Sequence, residues 1–219
     1  MSMMDGIQIK NIHSYRDLGL HIAARNIGLP EKKSIRETVP FMNGYYDFTA
    51  LNGAPAWGER EIEYTFDVTG DTPQEAESNV EKVLDWLCNV HDEDIFDDTL
   101  TGKHWHGSYK ECSPAYDDSG DLIELTVIFV VYPFKIANSP TTYSYTDAGT
   151  YRVRIENKGM AVAPYVSCNG TVAIQIGSYV TSVPDTSGTQ LEIDLERGWN
   201  TVVIANEGAM KFYYYEEVL

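Results

Sequence analysis

The chain has 219 residues, and 43% of them are hydrophobic, which is enough for one large or two small domain cores and argues against global disorder. Its formal net charge of −17 excludes stable nucleic-acid binding, because so acidic a surface repels a phosphate backbone. The three cysteines, Cys88, Cys112 and Cys168, are odd in number and widely spaced, which fits a reducing cytoplasm rather than a disulfide framework.

The first elements in chain order are two strands and an unusual aromatic stretch. Alternating apolar and polar residues predict a strand at 7–12, and a second strand is predicted at 19–24. Residues 36–49 (RETVPFMNGYYDFT) are too polar at their start for a core strand and too aromatic at their end for an ordinary surface loop. Their aromatic side chains crowd around an Asn-Gly pair and are Phe41, Tyr45, Tyr46 and Phe48. So much apolar surface near a turn indicates either a contact with a partner or packing within the monomer.

A strand and a helix with clear signals follow. Residues 61–68 alternate strictly between apolar and polar side chains and predict a strand with one buried face. Thr72 can cap a helix, Pro73 suits the first helical position, and Glu75 completes a capping box. Apolar residues at helical spacing then continue, which predicts one helix over 72–89, packed on a sheet.

The first half of the chain closes with an acidic segment and a pair of strands. Residues 91–98 (HDEDIFDD) predict a solvated acidic loop that lacks the Asp-x-Asp-x-Asp-Gly spacing of a calcium site. Residues 104–112 and 122–132 predict two further strands. The continuous apolar run 127–131 in the second strand indicates a central position or cover by another subunit.

The second half of the chain has a different composition. A linker is predicted at 138–142 because Asn, Ser, Pro and Thr occur there without periodicity. Residues 143–219 lack a helical pattern and predict several short strands, of which 190–196 alternates most clearly. Short strands joined by turns such as Asn169-Gly170 are typical of a small antiparallel β-sandwich. The predicted domains are therefore 1–137 and 143–219, and the predicted fold class is mainly β.

No metal, other cofactor or catalytic residue is predicted. His104 and His106 would share one face of a strand, with Cys88, His91 and Cys112 as further possible ligands. However, Cys88-Asn89-Val90-His91 is only half of a zinc pattern, and no second half follows at the usual spacing. The chain also lacks Gly-x-Ser-x-Gly, a phosphate-binding glycine loop and His-Glu-x-x-His, so no enzymatic activity is expected.

The N-terminus shows no secretion signal, and no segment is apolar enough for a membrane span. Residues 1–12 lack a basic region followed by a long apolar core. The apolar stretch 122–131 is interrupted by Glu124 and is shorter than the roughly 18 residues that a span requires. No membrane partner is therefore expected.

Short motifs occur in a recognisable order along the chain. They are SYRDLGL (14–20), VP (39–40), NGYYDFT (43–49), LDWL (84–87), HWHG (104–107) and VYPF (131–134). In this order, residues 1–137 resemble the distal tail protein (Dit) of long-tailed, non-contractile bacteriophages. Residues 143–219 are similar to the galectin-like sandwich that such proteins carry. Two arginines of the family pattern are missing. Phe41-Met42 follows Pro40 where the family often has Gly-Arg, and Ser108 follows Gly107 where the family often has arginine. The salt bridges of relatives are therefore not carried over.

The resemblance implies a fold and a structural role. The N-terminal domain would be α+β, with its helix packed on a β-sandwich or split barrel, and the C-terminal domain would be an antiparallel sandwich. The chain would form a homo-hexameric ring at the tail tip of a virion, assembled in the cytoplasm of the bacterial host. The ring would join the tail-tube protein to tail-tip or tail-associated lysin-type proteins, with receptor-binding proteins as further partners, and would let DNA pass.

Three sets of residues are assigned roles on this basis. The predicted subunit interface consists of Phe41, Tyr45, Tyr46, Phe48 and Trp105. Acids are concentrated in the first domain, where 1–137 carries a net charge of −13 and 138–219 carries −4. The predicted channel-facing acids are Asp92, Glu93, Asp94, Asp97 and Asp98. As an alternative function, a carbohydrate-binding sandwich would attach the chain to a host surface by stacking sugar rings on Tyr165, Tyr179 and Trp199.

Overall fold

The computed structural model describes residues 5–49, 55–118 and 122–219, and the chain divides into two compact units, Met1–Pro133 and Phe134–Leu219. The division falls before the predicted domain end at residue 137. The reason is that a strand at Lys135–Ala137 pairs with Glu217–Val218 near the C-terminus and so belongs to the second unit.

The described part of the N-terminal unit contains nine strands and one helix. These elements are β1 (Ile7–Ile9), β2 (Ile12–His13), β3 (His21–Ile27), β4 (Arg36–Glu37), β5 (Tyr46–Asp47), β6 (Arg60–Thr69), α1 (Pro73–Leu87), β7 (Glu93–Asp97), β8 (Lys103–Tyr116) and β9 (Leu122–Val131). Seven strands form one antiparallel sheet in the order β2-β1-β7-β8-β9-β6-β3. Strands β4 and β5 pair with each other outside that sheet.

One face of this sheet is covered by α1. The Thr72 side chain accepts a hydrogen bond from the Glu75 backbone N–H, and Pro73 begins the helix within the predicted range. The helix buries an apolar stripe against the inward side chains of β6 and β9. The stripe consists of Ala76, Val80, Val83, Trp86 and Leu87. No helix among the described residues is long and apolar enough to cross a membrane.

The prediction of a loop for the acidic segment 91–98 is wrong, because Glu93–Asp97 forms β7 between β1 and β8. Ile95 is fully buried and Asp97 is 4% exposed, so these two side chains point into the unit from the same face. A buried acid on the inward face removes the apolar alternation by which a half-buried strand is found in a sequence.

The C-terminal unit, which the structure describes in full, contains strands and no helix. Its strands are β10 (Lys135–Ala137), β11 (Thr141–Tyr145), β12 (Gly149–Asn157), β13 (Tyr165–Cys168), β14 (Val172–Ile176), β15 (Tyr179–Val183), β16 (Thr186–Gln190), β17 (Gly198–Asn206), β18 (Met210–Tyr214) and β19 (Glu217–Val218). Two four-stranded antiparallel sheets, β11-β18-β13-β16 and β12-β17-β14-β15, enclose a separate apolar core, and β10 pairs with β19. The fold class is mainly β, as predicted.

Two local predictions for this unit need correction. Residues 141 and 142, predicted as linker, belong to β11. The segment 190–196 is not a regular strand, because β16 ends at Gln190 and Leu195 makes only an isolated bridge with Val162. Leu191 and Leu195 are nevertheless buried, and at the end of the segment Asn200 closes a turn on the backbone of Glu196.

Candidate functional site

Between β3 and β6 the chain extends as an arm, defined here as residues 29–58, of which 50–54 lie outside the described part. Backbone hydrogen bonds fix its base, from Gly28 N–H to the Glu61 carbonyl at 3.0 Å and from Gly58 N–H to the Glu31 carbonyl at 2.8 Å. A Cβ on Gly28 would lie 2.6 Å from the Glu61 carbonyl oxygen, so the close approach requires glycine. The arm therefore begins from a rigid base.

Arg60 holds the same base from inside the unit. It is 4% exposed, and its Nε and one terminal nitrogen donate to the Pro133 carbonyl while the other terminal nitrogen donates to the Gly28 carbonyl at 3.3 Å. Its guanidinium lies 4.6 Å from the centroid of the Trp105 ring. Trp105 itself is 1% exposed, so the interface role predicted for it does not fit, because an enclosed side chain has no surface to offer a partner.

The outer part of the arm is a two-stranded hairpin of β4 and β5. Phe48 N–H donates to the Ile35 carbonyl at 2.8 Å, and Met42 N–H donates to the Val39 carbonyl at 3.1 Å in the turn. Arg36 supports the hairpin by a 3.4 Å contact with Asp47 and by packing 4.5 Å from the Tyr45 ring centroid. A two-stranded hairpin alone is only marginally stable in water.

The arm concentrates exposed apolar surface. Among the described residues, seven of the fifteen exposed large hydrophobic side chains lie on it: Leu29, Ile35, Val39, Phe41, Tyr45, Tyr46 and Phe48. Phe41 is fully exposed at 109%, and its φ of 68° lies in the left-handed region that a bulky residue rarely adopts. Four of the five predicted interface residues thus share one exposed element.

Asp97, predicted to face a channel, is instead buried. Its Oδ2 accepts hydrogen bonds from the Tyr64 hydroxyl at 2.9 Å and from Arg25 Nε at 3.0 Å. Its Oδ1 accepts from the backbone N–H and the hydroxyl of Thr99. Burial, together with the Asp97 charge, raises the pKa of Tyr64. This carboxylate organises the interior of the unit and cannot line a channel.

The other acids of the segment form contacts near the surface. Glu93 pairs with Lys10 at 2.9 Å. Asp98 Oδ2 lies 3.0 Å from Nε2 of the buried His13 and accepts from the Gly6 N–H. These contacts link β7 to the N-terminal strands. They leave both carboxylates partly exposed, so the channel-facing role predicted for them stays a prediction.

His106 bridges the two remaining acids. Its Nδ1 lies 2.8 Å from Asp94 and its Nε2 lies 3.0 Å from Asp92. Since carboxylates only accept hydrogen bonds, both contacts are satisfied together when the imidazole carries two N–H groups. Partial burial would lower the pKa of His106, but the hydrogen bonds and charges of Asp94 and Asp92 outweigh that effect and raise it.

A second acidic surface lies on the face of the N-terminal sheet opposite the buried one. Its carboxylates lie on the outward side of β6, β8 and β9, away from the core. They are Glu61, Glu63, Asp67, Glu111 and Glu124. Lys110 contacts Glu61 at 2.7 Å and Glu111 at 3.4 Å. Asp67 and Glu124 stand directly opposite each other on paired strands. Sequence reasoning found the alternation of β6 but did not identify a common face.

The residues predicted to stack sugar rings do not form one platform. Tyr165 lies on β13, in one sheet of the C-terminal sandwich, and packs against Tyr213 with ring centroids 5.4 Å apart. Tyr179 on β15 and Trp199 on β17 belong to the other sheet. Of these, Trp199 is the one with a largely exposed ring, at 61%.

His104, Cys112 and Cys88, which were considered as metal ligands, make packing contacts or hydrogen bonds within the N-terminal unit. His104 is 8% exposed, packs on Phe96 with ring centroids 5.0 Å apart, and lies 3.4 Å from Asp94. Cys112 packs against the core, and Cys88 donates to the Asp85 carbonyl. Across the described ranges 5–49, 55–118 and 122–219, no group of three or more His, Cys, Asp or Glu residues is arranged to hold a metal ion.

The fold of this chain, a helix-backed antiparallel sheet followed by a β-sandwich, is similar to that of a phage distal tail protein of known structure. The crystal structure of SPP1 Dit (gp 19.1), described as a paradigm of the hub adsorption apparatus in phages that infect Gram-positive bacteria, matches over 98% of this chain and 99% of that chain with a TM-score of 0.71 and 16% identity. The structure of the phage P2 baseplate in its activated conformation with Ca matches with a TM-score of 0.44 and 8% identity, and the structure with Sr matches with a TM-score of 0.45 and 7% identity. Each match covers 96% of this chain and 98% of the other chain. No family model and no curated protein matches the sequence. The resemblance read from the sequence motifs is thus confirmed at the level of the fold.

Proposed function

We propose that this chain is a structural component of a phage tail tip, a distal tail protein that forms a ring of six copies. Likeness to SPP1 Dit over both units supports the general role. The observation in this chain that carries the proposal is the arm, because an exposed apolar hairpin on a rigid base is suited to assembly. No catalytic or cofactor-dependent role is proposed.

The arm would contact the neighbouring copy of the same chain. Its exposed aromatic side chains, Phe41, Tyr45, Tyr46 and Phe48, provide the kind of surface that is buried at the centre of a subunit interface. A contact between an arm and a different surface of the next copy is heterologous, and such contacts close into a ring when the rotation between copies permits it. Burial of the hairpin in this contact would also stabilise it.

The acidic face of the N-terminal sheet would line the channel of the ring. Asp67 and Glu124 are like charges placed opposite each other on neighbouring strands, an arrangement that costs stability. A functional reason for keeping it is that passing DNA would be repelled by such a wall, whereas a basic wall would retain the DNA by counterion release.

The partners of the ring would be other tail proteins. The tail-tube protein would bind one side, and tail-tip or tail-associated lysin-type proteins, with receptor-binding proteins, would bind the other. The ring would assemble in the cytoplasm of the bacterial host and function in the virion.

Native mass spectrometry of the purified chain tests the proposal. A ring of six would have a mass of about 150 kDa, because each chain is 24.6 kDa. A species that remains monomeric alone and in the presence of its tail-tube partner would contradict the proposal.

A further inference from the structure

The C-terminal unit carries a basic patch on one sheet of its sandwich, although the whole chain is strongly acidic. Four of the unit's six cations lie on β12 or where β12 meets β17: Arg152, Arg154, Lys158 and Arg197. All four are exposed. Of the other two cations, Lys211 lies on β18 in the other sheet and Lys135 lies on β10. The clustering is therefore a property of one sheet and not of the unit as a whole.

An exposed indole lies within this cationic surface. Trp199 is 61% exposed, and the Arg154 guanidinium packs 4.8 Å from its ring centroid. Arg152 is two residues from Arg154 on the same strand face, at a spacing of about 7 Å along the strand. Glu156 stands opposite Trp199, and Lys158 lies 3.7 Å from its carboxylate, which offsets that negative charge.

The rest of this sheet face, which the structure describes in full, carries few apolar side chains and no second aromatic ring. In the rows next to the arginines are Thr201, Val203, Gln175 and the exposed Val180, with Ala205 and Ala173 in the row beyond them. A surface of this kind lacks the closely packed apolar centre of a protein–protein interface. Guanidinium groups match the oxygens of phosphates and carboxylates, and an exposed indole offers an apolar ring face.

We propose that Arg152, Arg154 and Trp199 bind an anionic sugar polymer, in which phosphate or carboxylate groups are adjacent to sugar rings. The arginines bind the anionic groups, and Trp199 stacks on the neighbouring ring. The site lies on a single chain, so the proposal does not depend on ring formation and goes beyond the assembly role.

The test is a binding titration of the full chain with defined probes, monitored by Trp fluorescence and calorimetry. The probes are a glucosylated poly(glycerol phosphate), an unglucosylated poly(glycerol phosphate), polygalacturonate, a neutral glucan and polyglutamate. We expect binding to the glucosylated phosphate polymer or to polygalacturonate, which identifies the preferred anion, and no binding to the neutral glucan. The affinity should fall with salt, as it does for other polyanions.

Matched variants assign the site. Arg152→Gln with Arg154→Gln should weaken binding by about tenfold or more and reduce the salt dependence. Trp199→Ala should weaken binding of the sugar-bearing polymers by about tenfold and leave the unglucosylated polymer almost unaffected. Lys211→Gln, which removes the one cation on the other sheet, should change nothing. Melting curves confirm that each variant is folded.

Four results would overturn the proposal. The first is that neither anionic sugar polymer binds. The second is that Lys211→Gln loses as much affinity as the double arginine variant, and the third is that the double arginine variant still binds with unaltered affinity. The fourth is that polyglutamate binds as strongly as the anionic sugar polymers and that its binding is insensitive to Trp199→Ala. The last result would assign the patch to an acidic protein partner.

Discussion

At the scale of single residues, Asp97 is a buried acceptor on which several contacts of the N-terminal unit converge. Its carboxylate is 4% exposed and accepts from Tyr64, Arg25 and Thr99. Removing it leaves the buried Tyr64 hydroxyl without its acceptor and leaves Arg25 with Asp5 as its remaining acidic partner, which is more costly than the loss of a surface ion pair.

Asp97→Ala should therefore lower the free energy of unfolding by about 3 kcal/mol, measured by denaturant unfolding. The control is Glu93→Ala on the same strand, which removes a surface contact with Lys10 and should cost less than about 1 kcal/mol. Equal effects of the two variants would mean that the interior contacts of Asp97 contribute little to the stability of the unit.

His106 gives the N-terminal unit a pH dependence of a defined sign. Asp94 and Asp92 raise its pKa in the folded protein above the ordinary value of 6.5. The stabilisation is fully present below the unfolded-state pKa and is lost as the pH rises through the folded-state pKa. The difference in Tm between the wild-type protein and His106→Gln should therefore be largest near pH 6 and shrink as the pH rises toward 9. A difference that grows with pH would show that the imidazole is held in its neutral form.

At the scale of elements, the arm separates monomer stability from assembly. Phe41 places a fully exposed aromatic side chain on a backbone with φ of 68°, which glycine adopts freely. Phe41→Gly should leave the free energy of unfolding of the monomer within about 1 kcal/mol of the wild type, because strain relief and the entropy cost of glycine oppose each other.

The same variant should weaken ring formation by about tenfold or more in sedimentation or native mass measurements, if Phe41 is buried in the subunit interface. Tyr116→Ala serves as the control, since it removes an aromatic ring that is 57% exposed but lies on β8, outside the arm. A destabilised monomer with unaltered assembly would place Phe41 inside its own subunit.

Elements with local signals could be predicted from the sequence, and those that depend on distant contacts could not. The cap at Thr72 and the alternation after Arg60 are encoded by neighbouring residues, so α1 and β6 lie where the sequence predicts them. The burial of Asp97 depends on Arg25, which is 72 residues away, and the burial of Trp105 depends on Arg60. The aromatic arm was found as an unusual stretch, but its exposure follows from its path outside the sheet.

At the scale of the whole molecule, the two units have separate cores, and the arm belongs to the first. A chain that ends at Pro133 should therefore still form rings, because the proposed interface is retained. Native mass spectrometry of this truncated chain would show the expected oligomer. If the full chain forms rings while the folded truncated chain is monomeric, the second unit makes the essential contact.

The distribution of charge leads to the last prediction, which distinguishes two channel surfaces. The sequence points to the segment 92–98, whereas the structure shows a second set of carboxylates on the face of β6 and β9 opposite the core. Asp97 is omitted from the comparison because a buried lysine would unfold the unit.

One variant replaces Glu63, Asp67 and Glu124 with lysine, and the other replaces Asp92, Glu93, Asp94 and Asp98. If the sheet face lines the channel, rings of the first variant should gain DNA binding that weakens as salt is raised, because lysines on the wall release counterions from the DNA. Rings of the second variant should bind DNA no more than the wild type, since their added lysines lie away from the path of the DNA. Gel-shift titrations at two salt concentrations, with ring formation checked by native mass spectrometry, measure both outcomes. DNA binding gained by the second variant alone would assign the channel to the acidic segment that the sequence indicated.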